Sequence, residues 1–172
     1  MKFASKWDNK CNEVKIRFRA FDRPVSLHDT LQLRGQVWES GHDMALPRLL
    51  LIDDEPALAA FVAKAADLCG FEPIIAEQDQ QFRDSFLEQR PQMVVLDLGM
   101  PGMDGVQLLR FLADEGFQDP VLIISGFDHR VLESAFRLGE AIGLQMVGPL
   151  EKPARLEELE EVLLKVRPSL VP

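Results

Sequence analysis

The chain has 172 residues, 47% of them apolar and 27% charged, and a formal net charge of −9. That composition excludes a disordered or collagen-like chain, and no apolar run approaches the roughly 20 residues needed to cross a bilayer. Residues 1–43 carry eight Lys/Arg against six Asp/Glu, while residues 44–172 carry eleven against twenty-two. So acidic a body is a poor match for nucleic-acid phosphates, which need facing cations, and it suits a domain that holds a cation or meets a basic protein surface. The N-terminus lacks the basic start and apolar stretch of a signal peptide, so a cytoplasmic protein is expected. Cys11 and Cys69 make no disulfide framework, and the three histidines show no metal-ligand spacing. Cys69 sits in an apolar helical pattern and reads as a buried structural thiol.

Residues 1–46 form a first segment with a pattern of its own. Val14, Ile16 and Phe18 alternate with Lys15, Arg17 and Arg19, as in a strand, without an evident partner. The segment holds both tryptophans, Trp7 and Trp38, and is too short to bury much core alone. A poorly ordered extension or a small add-on is expected, with Met44 as an alternative translation start. From Pro47 onward, short apolar runs alternate with segments of helical period. Leu49 to Ile52 reads as a strand ending in Asp53-Asp54. Pro56 opens a helix carrying Leu58, Phe61, Val62, Ala65 and Leu68, closed by Gly70. A second strand spans Ile74 to Ala76, and a helix with Phe82, Phe86 and Leu87 stops before Pro91. The third strand, Met93 to Leu96, ends at Asp97. Beyond a Gly-Met-Pro-Gly turn, Val106, Leu109 and Leu112 mark a helix. The fourth strand, Val121 to Ile124, ends at Ser125-Gly126, and Val131, Ala135 and Leu138 mark the next helix. Gln145 to Val147 is a weak fifth strand, and Pro153 starts a last helix with Leu156, Leu159, Leu163 and Val166. Strands apolar throughout, alternating with helices, predict a parallel sheet covered on both faces.

In such a sheet, functional groups gather beyond the carboxyl ends of the strands. Those ends read Asp53-Asp54, Asp97, Ser125 and Lys152: three carboxylates, a hydroxyl and an ammonium on one edge. Three close carboxylates repel one another unless a cation lies among them, and hard oxygen donors favour Mg²⁺. Each group has a plainer reading by itself. Asp53-Asp54 equally suits a helix N-cap before Pro56, Asp97 suits a turn start, Ser125-Gly126 a loop, and Lys152 a solvated surface lysine.

Four motifs follow in order: Leu51-Ile52-Asp53-Asp54-Glu55-Pro56, the run from Val95-Leu96-Asp97 to Met103-Asp104-Gly105, Ile124-Ser125-Gly126 and Lys152-Pro153. Together they closely resemble the receiver domain of two-component response regulators. The resemblance covers residues 47–167 and leaves a short tail, 168–172. It implies a flavodoxin-like, doubly wound sheet of five strands in the order 2-1-3-4-5 with five helices. It implies that Asp97 takes a phosphoryl group from a histidine kinase or phosphotransfer protein, so that the chain is no enzyme beyond assisting its own phosphorylation and dephosphorylation. Asp53, Asp54, Asp97 and the backbone carbonyl of Gly99 would hold Mg²⁺. Lys152 would neutralise the phosphoryl oxygens, Ser125 would bond one of them, and a downstream protein effector would read the result, without nucleic acid or membrane. The sequence departs from the family three residues before Lys152, where a swinging aromatic ring is usual and Pro149 stands instead. Proline has neither a ring to swing nor an N–H to donate. That departure favours a second reading, a phosphorylation-independent adaptor on the same fold. An aspartyl phosphohydrolase of another fold fits less well, because such enzymes want a second Asp where Gly99 stands.

Overall fold

The computed structural model describes residues 45–102 and 104–170. The expectations for the segment 1–46, including its strand-like stretch and the start at Met44, lie outside the described residues but for Ala45 and Leu46. Five strands, β1 (Arg48–Ile52), β2 (Glu72–Ala76), β3 (Met93–Asp97), β4 (Pro120–Ser125) and β5 (Gln145–Glu151), alternate with five helices. These are α1 (Pro56–Leu68), α2 (Asp79–Gln89), α3 (Gly105–Asp114), α4 (His129–Ala141) and α5 (Leu156–Val166), followed by a 3-10 turn at Arg167–Ser169. All pairings are parallel, in the order β2-β1-β3-β4-β5. This is the expected flavodoxin-like arrangement.

The continuous apolar runs follow from burial on both faces. Successive strand residues point to opposite sides. Leu50, Ile52, Val94, Leu96, Val121 and Ile123 pack with residues of α2, α3 and α4. Leu49, Leu51, Met93, Val95, Leu122 and Ile124 pack with α1 and α5. Every residue of β3 and β4 is buried. Phe82 is fully buried and stacks with Phe86, and the Phe111 ring meets both edge-on; Phe82→Ala would cost roughly 3–5 kcal/mol. Local chemistry fixes where the helices nearest the site begin. Pro56 occupies the first turn of α1. Asp104 caps α3 by accepting from the Val106 N–H at 3.0 Å, and Asp128 caps α4 by accepting from Arg130 and Val131, each cap contributing about 1 kcal/mol.

Four details differ from expectation. First, β5 runs to Glu151 rather than ending at Val147. Its register slips, so that Val121 pairs with Met146 and Leu122 with Gly148, which leaves Val147 as an extra, bulged residue. β5 lies at the sheet edge, where a strand tolerates both the bulge and Pro149. Second, α5 starts at Leu156, not Pro153. The Lys152 N–H still bonds to the Ser125 carbonyl at 2.9 Å, so the strand persists up to Lys152 and residues 153–155 are spent on the turn. Third, the buried stripe of α4 is Leu132, Ala135 and Gly139, while Val131 is 46% exposed. The helix meets β5 through a glycine, since a Cβ at Gly139 would collide with the Met146 sulfur. Fourth, Leu68 and Leu87 project outward, so the stripes of α1 and α2 are narrower than apolarity suggests.

Candidate functional site

Asp97 is the last residue of β3 and pairs with Ile124 of β4. Its side chain is buried, as is that of Asp53, which follows β1. Lys152, just after β5, reaches across the edge to both: its Nζ lies 2.6 Å from Asp97 Oδ2 and 2.9 Å from Asp53 Oδ2. Burial alone would lower the Lys152 pKa. The hydrogen bonds and negative charges of Asp97 and Asp53 outweigh burial and hold it above the ordinary lysine value. Asp54 is exposed at the rim.

The backbone locks the other carboxylate oxygens. Asp53 Oδ1 accepts from the Glu55 N–H at 2.9 Å, and Asp97 Oδ1 accepts from the Gly99 N–H at 2.7 Å. These tight turns tell the plain readings apart. Glu55, not Asp53 or Asp54, is the N-cap residue of α1, and no side chain caps that helix. Asp97 does begin a turn, and it also carries the ion pair to Lys152. Ser125 is wholly buried at the end of β4, where its Oγ accepts a long bond of 3.4 Å from the Phe127 N–H. The Phe127 ring itself is 44% exposed. Pro149 pairs in register with Ile123, half-buried, three residues before Lys152 along β5.

Asp53, Asp54 and Asp97 each offer a carboxylate oxygen, and these oxygens lie within 4.8 Å of one another. With one ammonium among three carboxylates, an excess of negative charge remains. An all-oxygen donor set of this kind fits a hard divalent cation that keeps some of its waters. Two open depressions flank the cluster, one of about 400 Å³ beside Asp54, Glu77 and Met100, and one of about 460 Å³ beside Lys152 and Pro149. All of the expected side chains, Asp53, Asp54, Asp97, Ser125 and Lys152, therefore stand on one edge. Sequence reasoning missed that Asp53 binds Lys152 directly. It also missed the backbone N–H groups of Glu55 and Gly99; a signal for these was the Asp-x-x spacing of an Asx turn in both loops.

Residues 49–164 match the family model of the response regulator receiver domain. The chain belongs to that family. It is similar to the transcriptional regulatory protein TrcR of Mycobacterium tuberculosis, with 32% identity over 65% of this chain and 42% of that protein. It is likewise 32% identical to the positive alginate biosynthesis regulatory protein of Pseudomonas aeruginosa, over 72% of this chain and 48% of the relative. The chain thus spans less than half the length of these relatives. Among solved structures, a response regulator from Colwellia psychrerythraea superposes with a TM-score of 0.64 at 26% identity, covering 73% of this chain and 99% of that one. The Francisella response regulator 1452 receiver domain shares the fold, with a TM-score of 0.62 at 22% identity over 72% of this chain and 98% of its own. Among the described residues, no helix is long and apolar enough to cross a membrane.

Proposed function

We propose that this receiver domain accepts a phosphoryl group on Asp97 from the phosphohistidine of a cytoplasmic kinase or phosphotransfer protein, in a Mg²⁺-dependent step, and signals through protein contacts. The observation that carries this reading is the buried Asp97 carboxylate, held by the Lys152 ammonium at 2.6 Å and the Gly99 N–H at 2.7 Å within reach of two further carboxylates. In the transfer, the phosphorus–nitrogen bond of the donor breaks and a phosphorus–oxygen bond forms on Asp97. The imidazole leaves with the electron pair and takes up a proton. Bound Mg²⁺, held by Asp53, Asp54, Asp97 and the Gly99 carbonyl, would neutralise charge on the transferring oxygens. Lys152 is already at the nucleophile and donates to a phosphoryl oxygen once Asp97 is esterified, while Asp53 keeps the ammonium aimed. The Ser125 hydroxyl, whose only protein partner among the described residues is a long bond from Phe127, turns to a phosphoryl oxygen and so couples the site to the loop before α4. The chain turns over no external substrate in this scheme. Residues 44–172 suffice for it, because every group it uses lies there.

The test is intact mass after incubation with Mg²⁺ and acetyl phosphate. A phosphoryl gain in the parent and none in Asp97→Asn supports the assignment; equal gain in both defeats it. Pro149 favours one second reading, an adaptor on the same fold that binds partners without phosphorylation. Partner binding that is identical in the parent and in Asp97→Asn, with no phosphoryl gain by either, would favour it.

A further inference from the structure

Helix α4 packs mainly against β5, and it meets that strand through Gly139. The backbone does not require glycine there, since its φ lies outside the left-handed region, and glycine within a helix costs stability relative to alanine. What requires it is Met146. The three atoms nearest to a Cβ at residue 139 would all belong to that side chain: its sulfur, its methyl carbon and its γ carbon, the two carbons at 3.0 Å. The thioether thus lies on bare helix backbone, and a flexible methionine fills the notch. The Gly139 carbonyl already accepts from the Leu144 N–H at 3.0 Å, and the Gly139 N–H is spent inside α4. The notch therefore has no donor to offer an added oxygen. Among the described residues the other methionines, Met93 and Met100, are 0% and 4% exposed, whereas Met146 is only partly buried. Met146 also stands on the edge strand, one residue before the bulge at Val147 where the register with β4 slips. Such an edge opens more readily than a central strand.

We infer that Met146 is an oxidative modification site: hydrogen peroxide converts its thioether to the sulfoxide, which unseats α4 from β5 at the Gly139 notch. A sulfur lone pair bonds to one peroxide oxygen as the oxygen–oxygen bond breaks. Sulfur is oxidised by two electrons and the peroxide is reduced. The departing hydroxide takes the proton of the transferred oxygen and leaves as water. The product carries a strong acceptor into a place with no free donor and no spare room, and an unsatisfied acceptor there disfavours the contact. At its other end α4 joins the loop that follows Ser125, so a loosened helix weakens the support of that loop. Cys69 does not compete for the oxidant. It is buried, and burial chiefly pushes its thiol pKa up to about 11, which keeps it protonated and unreactive. Methionine sulfoxide is reduced back by dedicated reductases, so the change is reversible. Nothing in this requires a phosphoryl group on Asp97, and the experiment uses no phosphoryl donor, so the two readings fail separately.

The test treats the folded, full-length chain with hydrogen peroxide and follows each methionine by peptide mapping. Met146 should be oxidised about tenfold faster than Met93 or Met100, the scale of a small difference in local opening. Once Met146 is converted, the melting temperature should fall by about 4 °C, and hydrogen exchange should rise across residues 129–141. Methionine sulfoxide reductase with a thiol should restore both. Met146→Leu, close in volume and without sulfur, should keep its melting temperature and exchange through the same treatment. Equal oxidation rates at Met146 and Met93 overturn the inference. So does a fully oxidised Met146 that leaves exchange in α4 unchanged. If peroxide loosens α4 as much in Met146→Leu as in the parent, another residue is the target and the inference falls. Should the leucine variant not fold, the reductase arm decides alone: losses that persist in the parent after the Met146 sulfoxide has been removed overturn it.

Discussion

β3 and β5 stand on either side of β4 and deliver Asp97 and Lys152 to the same edge, yet they are built in opposite ways. β3 is five residues without Gly or Pro, every one buried, paired on both sides in unbroken register. Among the described residues, β5 is paired on one side only; it carries a bulge at Val147 and the pair Gly148-Pro149, and has no fully buried residue. The difference separates two tasks. Asp97, the proposed nucleophile, needs a fixed position, which a close-packed central strand supplies. A counter-charge on a long side chain tolerates an irregular support, because Lys152 reaches its partners through a flexible stem and is fixed by the two carboxylates it binds.

The largest expected effect sharpens this contrast from the β3 side. Asp97→Asn keeps the size of the side chain and removes the nucleophile, so phosphoryl gain by mass should vanish while the thermal transition persists. From the β5 side, Lys152→Met should leave Asp53 and Asp97 unpaired in a buried place. Metal-free stability measured by urea denaturation should fall by about 3 kcal/mol, and Mg²⁺ should restore part of it. The same variant has a pH signature. The folded Lys152 pKa is raised, so its contribution is complete below the unfolded lysine value of about 10.4 and fades as pH rises through the higher folded value. The parent should therefore lose more stability than Lys152→Met in the alkaline range, and parallel curves there would break the argument.

A smaller effect concerns the rim. Asp54→Asn should weaken Mg²⁺ binding by about tenfold or more, read by titration calorimetry, because the site has few protein ligands. It should not weaken the metal-free fold, since removing an exposed carboxylate relieves repulsion. The subtlest test asks whether β5 moves at all. With beryllofluoride and Mg²⁺, hydrogen exchange should change at residues 125–132 and stay constant at 145–149, because proline fixes its backbone φ. A response in β5 as large as that of the loop would erase the distinction between the two strands.

The same contrast governs what was legible in the sequence. Leu49 to Ile52, Met93 to Leu96 and Val121 to Ile124 announced themselves because burial on both faces demands unbroken apolarity. The polar residues closing each run, Asp53-Asp54, Asp97 and Ser125, then marked the site. β5 was legible only in its first three residues. Its continuation, Gly148-Pro149, reads locally as a breaker, and only pairing with Ile123 and Leu122 makes it a strand. The offset stripe of α4 was hidden for a related reason, since its contact with β5 runs through Gly139, which carries no apolar signal. The bond from Lys152 to Asp53 spans 99 residues in sequence, and no local pattern specifies which of two adjacent aspartates turns inward.

The ammonium lodged between Asp53 and Asp97 gives the resting protein a resident counter-ion. Structural zinc domains collapse when stripped of their ion because only the metal holds their ligands together. Here the two inner carboxylates are already tied to the scaffold by Lys152, Glu55 and Gly99. Under the proposed Mg²⁺-dependent transfer, a chelator should silence this domain without unfolding it, leaving intact the molecule that waits.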